Sequence, residues 1–318
     1  MKDFISIADC TKEELREFLD VALRLKKQYK TTGRNDPLLA GKMLAMIFEK
    51  PSLRTRVSFA VAMQHLGGSA LMLRQEEVGL GQREAVKDVA RVLSGMCDAV
   101  TIRTFDHKKV HELAHWSTIP VINALSDLSH PCQAMADLMT IEEHFGHLEG
   151  KTVAFIGDGN NVARALATAC GRFGMRFILA SPSAYRLSDE DFDRIMSQVP
   201  ELDFEVTQDP ADAVREADVI YTDTWVSMGQ EAEKAKRLKD FHGYEINAKL
   251  LAEAPKTAVV LHCLPAYRGL EISDEVIEGK QSLVFPEAEN RLHFQKGLLA
   301  VLMGRRSEAG LNTKTQRH

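Results

Sequence analysis

Short, unbroken apolar runs recur along this chain, each followed by a longer stretch with helical spacing, and the series occurs twice. The first set covers residues 43–48, 70–73, 99–103 and 120–123. The second covers 152–156, 176–180, 203–206, 218–222, 258–262 and 283–285. Runs that are continuous rather than alternating are expected of parallel strands covered on both faces, and helices between them supply right-handed crossovers. The expected fold is therefore α/β: two doubly wound parallel-sheet domains joined by interdomain helices, with a site in the cleft. At about 150 residues per domain, 318 residues suit two. The charged stretch 144–151 sets the boundary, giving domains over 1–145 and 146–287, with a helix over 288–306 packing back on the first. Residues 307–318 are polar and are expected to fray.

Before the first strand, Thr11 and Glu14 have the spacing of a capping box. Leu15, Phe18, Leu19, Ala22 and Leu23 follow at helical intervals, and Gly33 supplies a stop. This helix is architecture and carries no chemistry. The charge balance excludes one class of partner. With 40 Lys and Arg against 45 Asp and Glu, the net charge of −5 gives no basic excess to attract nucleic acid. No apolar run approaches the ~20 residues needed to span a bilayer, so no membrane association is expected. The opening MKDFISIADC, charged at its second and third positions, does not read as a signal peptide. Cys10, Cys97, Cys132, Cys170 and Cys263 are odd in number and lack metal-ligand spacing, so neither a disulfide framework nor a metal is expected. A cytoplasmic chain is the consistent expectation.

In open parallel sheets, ligands bind beyond the carboxyl ends of the strands, and unusual polar residues gather at six of them. The first strand runs into Glu49-Lys50-Pro51-Ser52-Leu53-Arg54-Thr55-Arg56 and then a helix. Free helix-start amides, two hydroxyls and guanidinium groups around one point would suit a phosphate dianion. The plainer alternative is an N-cap serine with solvated arginines. Arg103 ends the third run, where a surface ion pair would be the plainer explanation. His130 precedes Pro131 at a helix mouth and shares a face with Gln133, so the two could hold a planar carbonyl or amide.

The second series begins with Gly157-Asp158-Gly159-Asn160-Asn161. This fails as a dinucleotide fingerprint, because Val162 stands where the third glycine belongs and the next strand ends in Ser181-Pro182 without an acid. No organic cofactor is expected. The asparagines could instead serve a small polar ligand or simply form a turn. Two further strand ends carry Asp223-Thr224-Trp225-Val226-Ser227-Met228-Gly229 and His262-Cys263-Leu264-Pro265. Cys263 lacks the partners of a thiol hydrolase. Together the six ends suit a cleft that binds a phosphate on one side and an amine-bearing molecule on the other.

The segments 48–56, 130–133, 223–229 and 262–265, with Glu287-Ala288-Glu289-Asn290-Arg291, closely resemble those of ornithine carbamoyltransferases, and the likeness runs nearly end to end. The first two motifs are shared by carbamoyltransferases generally, whereas the Ser-Met-Gly loop and the His-Cys-Leu-Pro turn mark the ornithine branch. By this resemblance, Ser52, Leu53 (through its amide), Arg54 and Thr55 hold the phosphate of carbamoyl phosphate, and Arg103, His130 and Gln133 bind its phosphate and carbonyl. Asn161, Asp223, Ser227 and Met228 bind L-ornithine, Cys263 and Leu264 line the reacting centre, and Arg291 closes it. The resemblance also implies a homotrimer, or a multiple of trimers, in which the 77–83 loop reaches a neighbour. Two positions depart from the family pattern: Leu53 replaces a common threonine, and Gly79 stands where a glutamine is frequent, with Gln82 three residues on.

The implied reaction is attack of ornithine's side-chain amine on the carbamoyl carbon, giving citrulline and phosphate, with Arg103, His130 and Thr55 as donors to the oxyanion. Cys263 and Asp223 grip the amine. The X-Pro turn at Leu264–Pro265 is expected to be cis. A sister enzyme acting on putrescine or an acylated ornithine is the alternative, and a putrescine enzyme would be expected to change the Ser-Met-Gly loop. A catalytically silent subunit would be expected to lack Arg103, His130 or Cys263.

Overall fold

A computed structural model describes residues 1–227 and 229–312, with backbone alone for 305–312. It contains nine named strands: β1 Met43–Phe48, β2 Ser69–Arg74, β3 Ala99–Arg103, β4 Val121–Leu125, β5 Thr152–Ile156, β6 Arg176–Ala180, β7 Phe204–Thr207, β8 Val219–Thr222 and β9 Val259–His262. They form two sheets, ordered β2-β1-β3-β4 and β7-β6-β5-β8-β9, and every strand pair is parallel. In each sheet the first strand lies inside, so the chain winds outwards one way and then the other. The doubly wound expectation holds for both. The strand order reverses between β1 and β3 and again between β5 and β8, which is where such sheets open a crevice for ligands.

The contacts divide the chain into one unit of Met1–Met135 with the residues from Arg291 onward, and a second of Ala136–Asn290. Both divisions fall inside helices, Pro131–Phe145 and Val284–Asn312. In the first unit, Ala45, Ile47, Val100 and Ile102 of the sheet pack on Val89, Leu93, Val110 and Leu113 from two helices. The amino-terminal segment joins this unit at the β4 edge, where the Phe4 N–H donates to the Val121 carbonyl at 2.8 Å. The first helix, Lys12–Thr32, has the expected capping box, and Gly33 closes it at φ 74°. In the second unit, Ala154, Ile178, Ile220 and Val260 pack with Trp225, Phe241 and Ile246.

One expected strand is corrected. Residues 283–285 contribute only the Leu283 N–H to the Val260 carbonyl, at 2.9 Å, beside an isolated bridge at Ser282. The carboxyl-terminal helix begins at Val284 and continues to Asn312. It therefore starts before 288 and extends into the stretch expected to fray, while residues 313–318 lie outside the described residues. Among the described residues, no helix is long and apolar enough to cross a membrane.

Candidate active site

In the first unit, β1 and β3 lie side by side in register, with Phe48 opposite Arg103. Just past β1, Ser52 caps helix Leu53–His65. Its Oγ accepts the Thr55 N–H at 3.3 Å and donates to Thr55 Oγ1 at 3.0 Å. Both bonds lie at the positive end of the helix. Arg54 in that turn is half-buried, whereas Arg56 and the Leu53 side chain are exposed. Arg103 is buried at a register shift between β3 and β4, the kind of irregularity that re-aims a side chain. Lys50 is also buried, with Nζ 3.6 Å over the Phe105 ring. Burial and the nearby Arg103 push its ammonium below the usual range.

Helix Val284–Asn312 supplies Arg291, which gathers the expected residues. Its Nη2 donates to Thr55 Oγ1 at 2.8 Å, its Nη1 donates to Gln133 Oε1 at 2.5 Å, and Nη1 also lies 3.4 Å from His130 Nε2. Burial above all, and then Arg291, Arg103 and Arg54, hold the His130 imidazole well below its ordinary value. It is neutral at pH 7. With Nε2 accepting from the guanidinium, the ring proton belongs on Nδ1, a buried atom with no partner among the described residues. This cluster of the first unit therefore combines a helix start and nearby guanidinium groups with one neutral imidazole donor.

The second unit carries the other expected residues. Asn160 makes one link: its Oδ1 caps helix Asn161–Arg172 while its Nδ2 donates to Asp223 Oδ2 at 2.8 Å. The other carboxylate oxygen accepts from Cys263 Sγ at 3.1 Å and from the Thr224 N–H at 2.8 Å. Burial first, and then Asp223 and Glu287, push the Cys263 thiol well above its usual value, so it remains a protonated donor. Leu264, at φ 55°, precedes a cis bond to Pro265, as expected. The Leu264 N–H donates to His262 Nδ1 at 2.9 Å, which places the His262 proton on Nε2, 3.2 Å from Glu271 Oε1. Ser227 is half-buried, its N–H on Gln230 Oε1 at 3.1 Å, and Met228 lies outside the described residues.

Four supporting residues escaped the sequence reading. Arg237 is buried and donates to Asp158 Oδ2 at 2.8 Å and to the Trp225 carbonyl at 3.0 Å, tying the Gly-Asp-Gly turn to the loop after Asp223. Asn160, Glu271 and Glu287 are the others. The principal partners of Arg237, Asn160 and Glu287 lie 79, 63 and 25 residues away; Asn160 and Glu287 at least stood within motifs already quoted, whereas Arg237 and Glu271 did not. The glycine turn itself is filled by protein. A Cβ on Gly159 would meet the Leu187 nitrogen at 2.6 Å, and the Gly159 N–H already donates to the Tyr185 carbonyl at 2.8 Å. Chain occupies the close approach that a pyrophosphate would need.

Gly79 ends the short helix Gln75–Val78 at φ 62°. A Cβ there would lie 2.6 Å from Arg83 Cβ, so a glutamine would not fit this turn unchanged. Gln82 is exposed on the same loop. The donor atoms of Asp223, His262 and Cys263 lie within 4.8 Å of one another, but both His262 ring nitrogens and the thiol already have the hydrogen-bond partners described above, so this geometry does not call for an ion.

Residues 2–143 match the family model described as aspartate/ornithine carbamoyltransferase, carbamoyl-P binding domain, and residues 149–302 match the corresponding Asp/Orn binding domain. The ornithine carbamoyltransferase of Archaeoglobus fulgidus is 50% identical over 309 residues, covering 97% of this chain and 99% of its own. That of Methanopyrus kandleri is 49% identical over 302 residues, covering 94% and 96%. The ornithine carbamoyltransferase structure from Pyrococcus furiosus superposes with a TM-score of 0.91 at 47% identity, covering 95% of this chain and 97% of that one.

Proposed function

The chain belongs to the aspartate/ornithine carbamoyltransferase family, and we propose that it is an ornithine carbamoyltransferase. It transfers the carbamoyl group of carbamoyl phosphate to the side-chain amine of L-ornithine, giving L-citrulline and phosphate. The observation that carries this reading is the Asp223–Cys263 hydrogen bond of 3.1 Å. It joins the two segments that mark the ornithine branch, in a chain about half identical to ornithine carbamoyltransferases over almost its whole length.

Carbamoyl phosphate is already activated, so the residues must orient two molecules and stabilise a tetrahedral oxyanion. Ser52, Arg54, Thr55, the Leu53 amide, Arg103 and Arg291 take the phosphate. Neutral His130 can give its N–H to the carbamoyl oxygen without adding another charge, with Arg103 and the Thr55 hydroxyl as further donors, while Gln133 and Leu264 hold the carbamoyl amide. On the amine side, Asp223, Asn161, Ser227 and Met228 bind ornithine, and the Cys263 thiol restrains Asp223. The amine nitrogen bonds to the carbamoyl carbon, the bond from that carbon to the phosphate oxygen breaks, and the nitrogen gives up its surplus proton. An amine with a reference pKa near 10.4 is ~3.4 units too basic at pH 7, so forming the nucleophile costs about 4.6 kcal/mol.

The place of this reaction is arginine metabolism. The compartment is the cytoplasm, a reading supported by five free cysteines and the reducing chemistry that preserves them. The test is citrulline formation by the purified protein from carbamoyl phosphate with L-ornithine, putrescine, N-acetylornithine or aspartate. Turnover with ornithine alone is expected. Turnover with putrescine would overturn the roles given to Asp223, Ser227 and Met228, and turnover with none would overturn the enzyme reading.

A further inference from the structure

The second unit carries a cavity of about 540 Å³ at the end of its sheet away from Asp223. Lys151 immediately precedes β5, Asp218 precedes β8 and Ala258 precedes β9, and all three residues line it. The carboxyl ends of the same strands lead to Asn160, Asp223 and Cys263. At ~3.3 Å per residue, the stretch from Asp218 to Asp223 spans about 17 Å, so a small molecule in this cavity does not meet Asp223. Parallel sheets open their usual ligand crevices at the carboxyl ends of the strands, and the reaction described above makes no use of this cavity.

Two β-turns joined to each other supply its basic residues. Lys256 is the second residue of the turn Pro255–Ala258, closed by the Ala258 N–H on the Pro255 carbonyl at 2.8 Å. Lys280 is the second residue of the turn Gly279–Ser282, closed by the Ser282 N–H on the Gly279 carbonyl at 3.1 Å. The Gln281 carbonyl accepts the Val260 N–H at 2.8 Å, and Gln281 Nε2 donates to the Ala258 carbonyl at 2.7 Å. Both lysines therefore stand on anchored backbone. Both are exposed and line the cavity, and among the described residues neither has a hydrogen-bond or ion-pair partner. The other charges offset one another. Asp218 Oδ1 lies 3.2 Å from Lys151 Nζ, and Oδ2 accepts the Thr152 N–H at 2.9 Å. Lys151 Nζ also sits 4.5 Å over the Phe145 ring, at the carbonyl end of helix Pro131–Phe145, where a cation offsets the helix dipole. Two uncommitted ammonium groups remain, in a chain of net charge −5.

We propose that this cavity is a second anion site, separate from the reaction centre, in which Lys256 and Lys280 hold the phosphoryl group of a small molecule. The lining decides the class of anion. Ammonium groups are compact point charges that suit the tetrahedral oxygens of a phosphoryl group, whereas a planar carboxylate is best matched by the arginine fork. Among the described residues, no arginine lines the cavity. Thr257, between Lys256 and Ala258, lines it too and offers a hydroxyl donor. The volume falls in the range of small-molecule pockets, roughly 300–1,000 Å³.

The experiment is a calorimetric titration of wild type, K256Q/K280Q and R54A with inorganic pyrophosphate, and of wild type with malonate as a dicarboxylate control. Both lysines are exposed, so K256Q/K280Q is expected to keep the wild-type thermal midpoint and kcat/KM for ornithine. Wild type binds pyrophosphate in an event that survives in R54A and weakens by about tenfold or more in K256Q/K280Q, as for lost hydrogen bonds to charged groups. Each single glutamine variant falls between the two. Raising the ionic strength weakens the same event, because the lysines are exposed. Binding that is lost in R54A, or is indifferent to the two lysines, places the pyrophosphate elsewhere and overturns the second site. A wild-type protein that does not bind pyrophosphate overturns it as well. Malonate bound as tightly as pyrophosphate overturns the phosphoryl class. The readout is binding, so the result stands apart from the reaction that the chain catalyses.

Discussion

Cys263 sits at a strand end, where a reactive thiol would be at home, yet its surroundings make it a donor. Burial and two carboxyl groups hold the sulfur protonated well above its usual titration range, so between pH 7 and 9 the ionisation that matters is that of the amine. The neutral fraction of a Lys-like amine rises tenfold per unit in this range, and kcat/KM for ornithine is expected to climb about 100-fold from pH 7 to pH 9 if chemistry limits the rate. Cys263→Ser keeps a hydroxyl to donate and should leave that slope unchanged. A break in the wild-type profile that disappears in the serine variant would show that the thiol titrates after all. On the phosphate side, Arg54 is half-buried in the helix mouth and Arg56 is exposed. Arg54→Ala should lower kcat/KM for carbamoyl phosphate by about 10- to 100-fold, the worth of charge-assisted hydrogen bonds, and Arg56→Ala by less than about threefold. Steady-state kinetics on the two variants would check this, and equal losses would remove Arg54 from the phosphate site. Legibility at this scale followed position in the chain. Asp223 and Cys263 were visible because charge or sulfur at the end of a buried strand is unusual. That Asn160 is the residue which caps the helix and meets Asp223 was not readable, because nothing in two consecutive asparagines says which one caps the helix and which begins it.

At the scale of elements, the β1, β3, β5 and β6 boundaries were readable to the residue, since a strand buried on both faces leaves an unbroken apolar signature. The failure at 283–285 has the same origin. Leu283, Val284 and Phe285 form an apolar triplet too short for periodicity to separate strand from helix, and the helix took two of the three. Connections between elements were the least legible. Arg237 is separated from Asp158 by 79 residues, yet it holds the two turns that present Asn160 and Asp223. Arg237→Ala leaves Asp158 buried without its cation and should raise KM for ornithine by about tenfold or more, KM for carbamoyl phosphate remaining close to wild type. Equal rises in both constants would show a general loss of structure instead. Helix packing makes a firmer demand at Gly297, where a Cβ would lie 2.6 Å from the Phe18 carbonyl oxygen and 2.7 Å from the Ala22 nitrogen. Both neighbours are backbone of helix Lys12–Thr32, which cannot swing aside. Gly297→Ala should therefore cost about 1–3 kcal/mol, seen as a lower thermal midpoint, despite alanine's better helix propensity. An unchanged or raised midpoint would mean that the two helices separate more easily than this contact allows.

For the molecule as a whole, repetition was the most legible property: two series of runs became two parallel sheets, each with its own core. Assembly is less written in the chain. The homotrimer we propose is supported by the family resemblance and by apolar side chains left on the first unit's surface, with Leu53 74% exposed and Val57 and Leu71 near half. Sedimentation equilibrium at micromolar concentration should give a mass three times that of one chain, or a multiple of that, and a monomer would remove the neighbour contact proposed for the 77–83 loop and its Gln82. The division of the chain has a consequence in time. The second unit is one continuous segment, Ala136–Asn290, but the first needs both the opening residues and those from Arg291 onward. A ribosome makes the sequence in order, and domains fold as units while it does so. The nascent chain can therefore complete the sheet that carries Asp223 while Thr55 and Gln133 still lack Arg291. The unit begun first therefore waits for a segment made after the whole of the other.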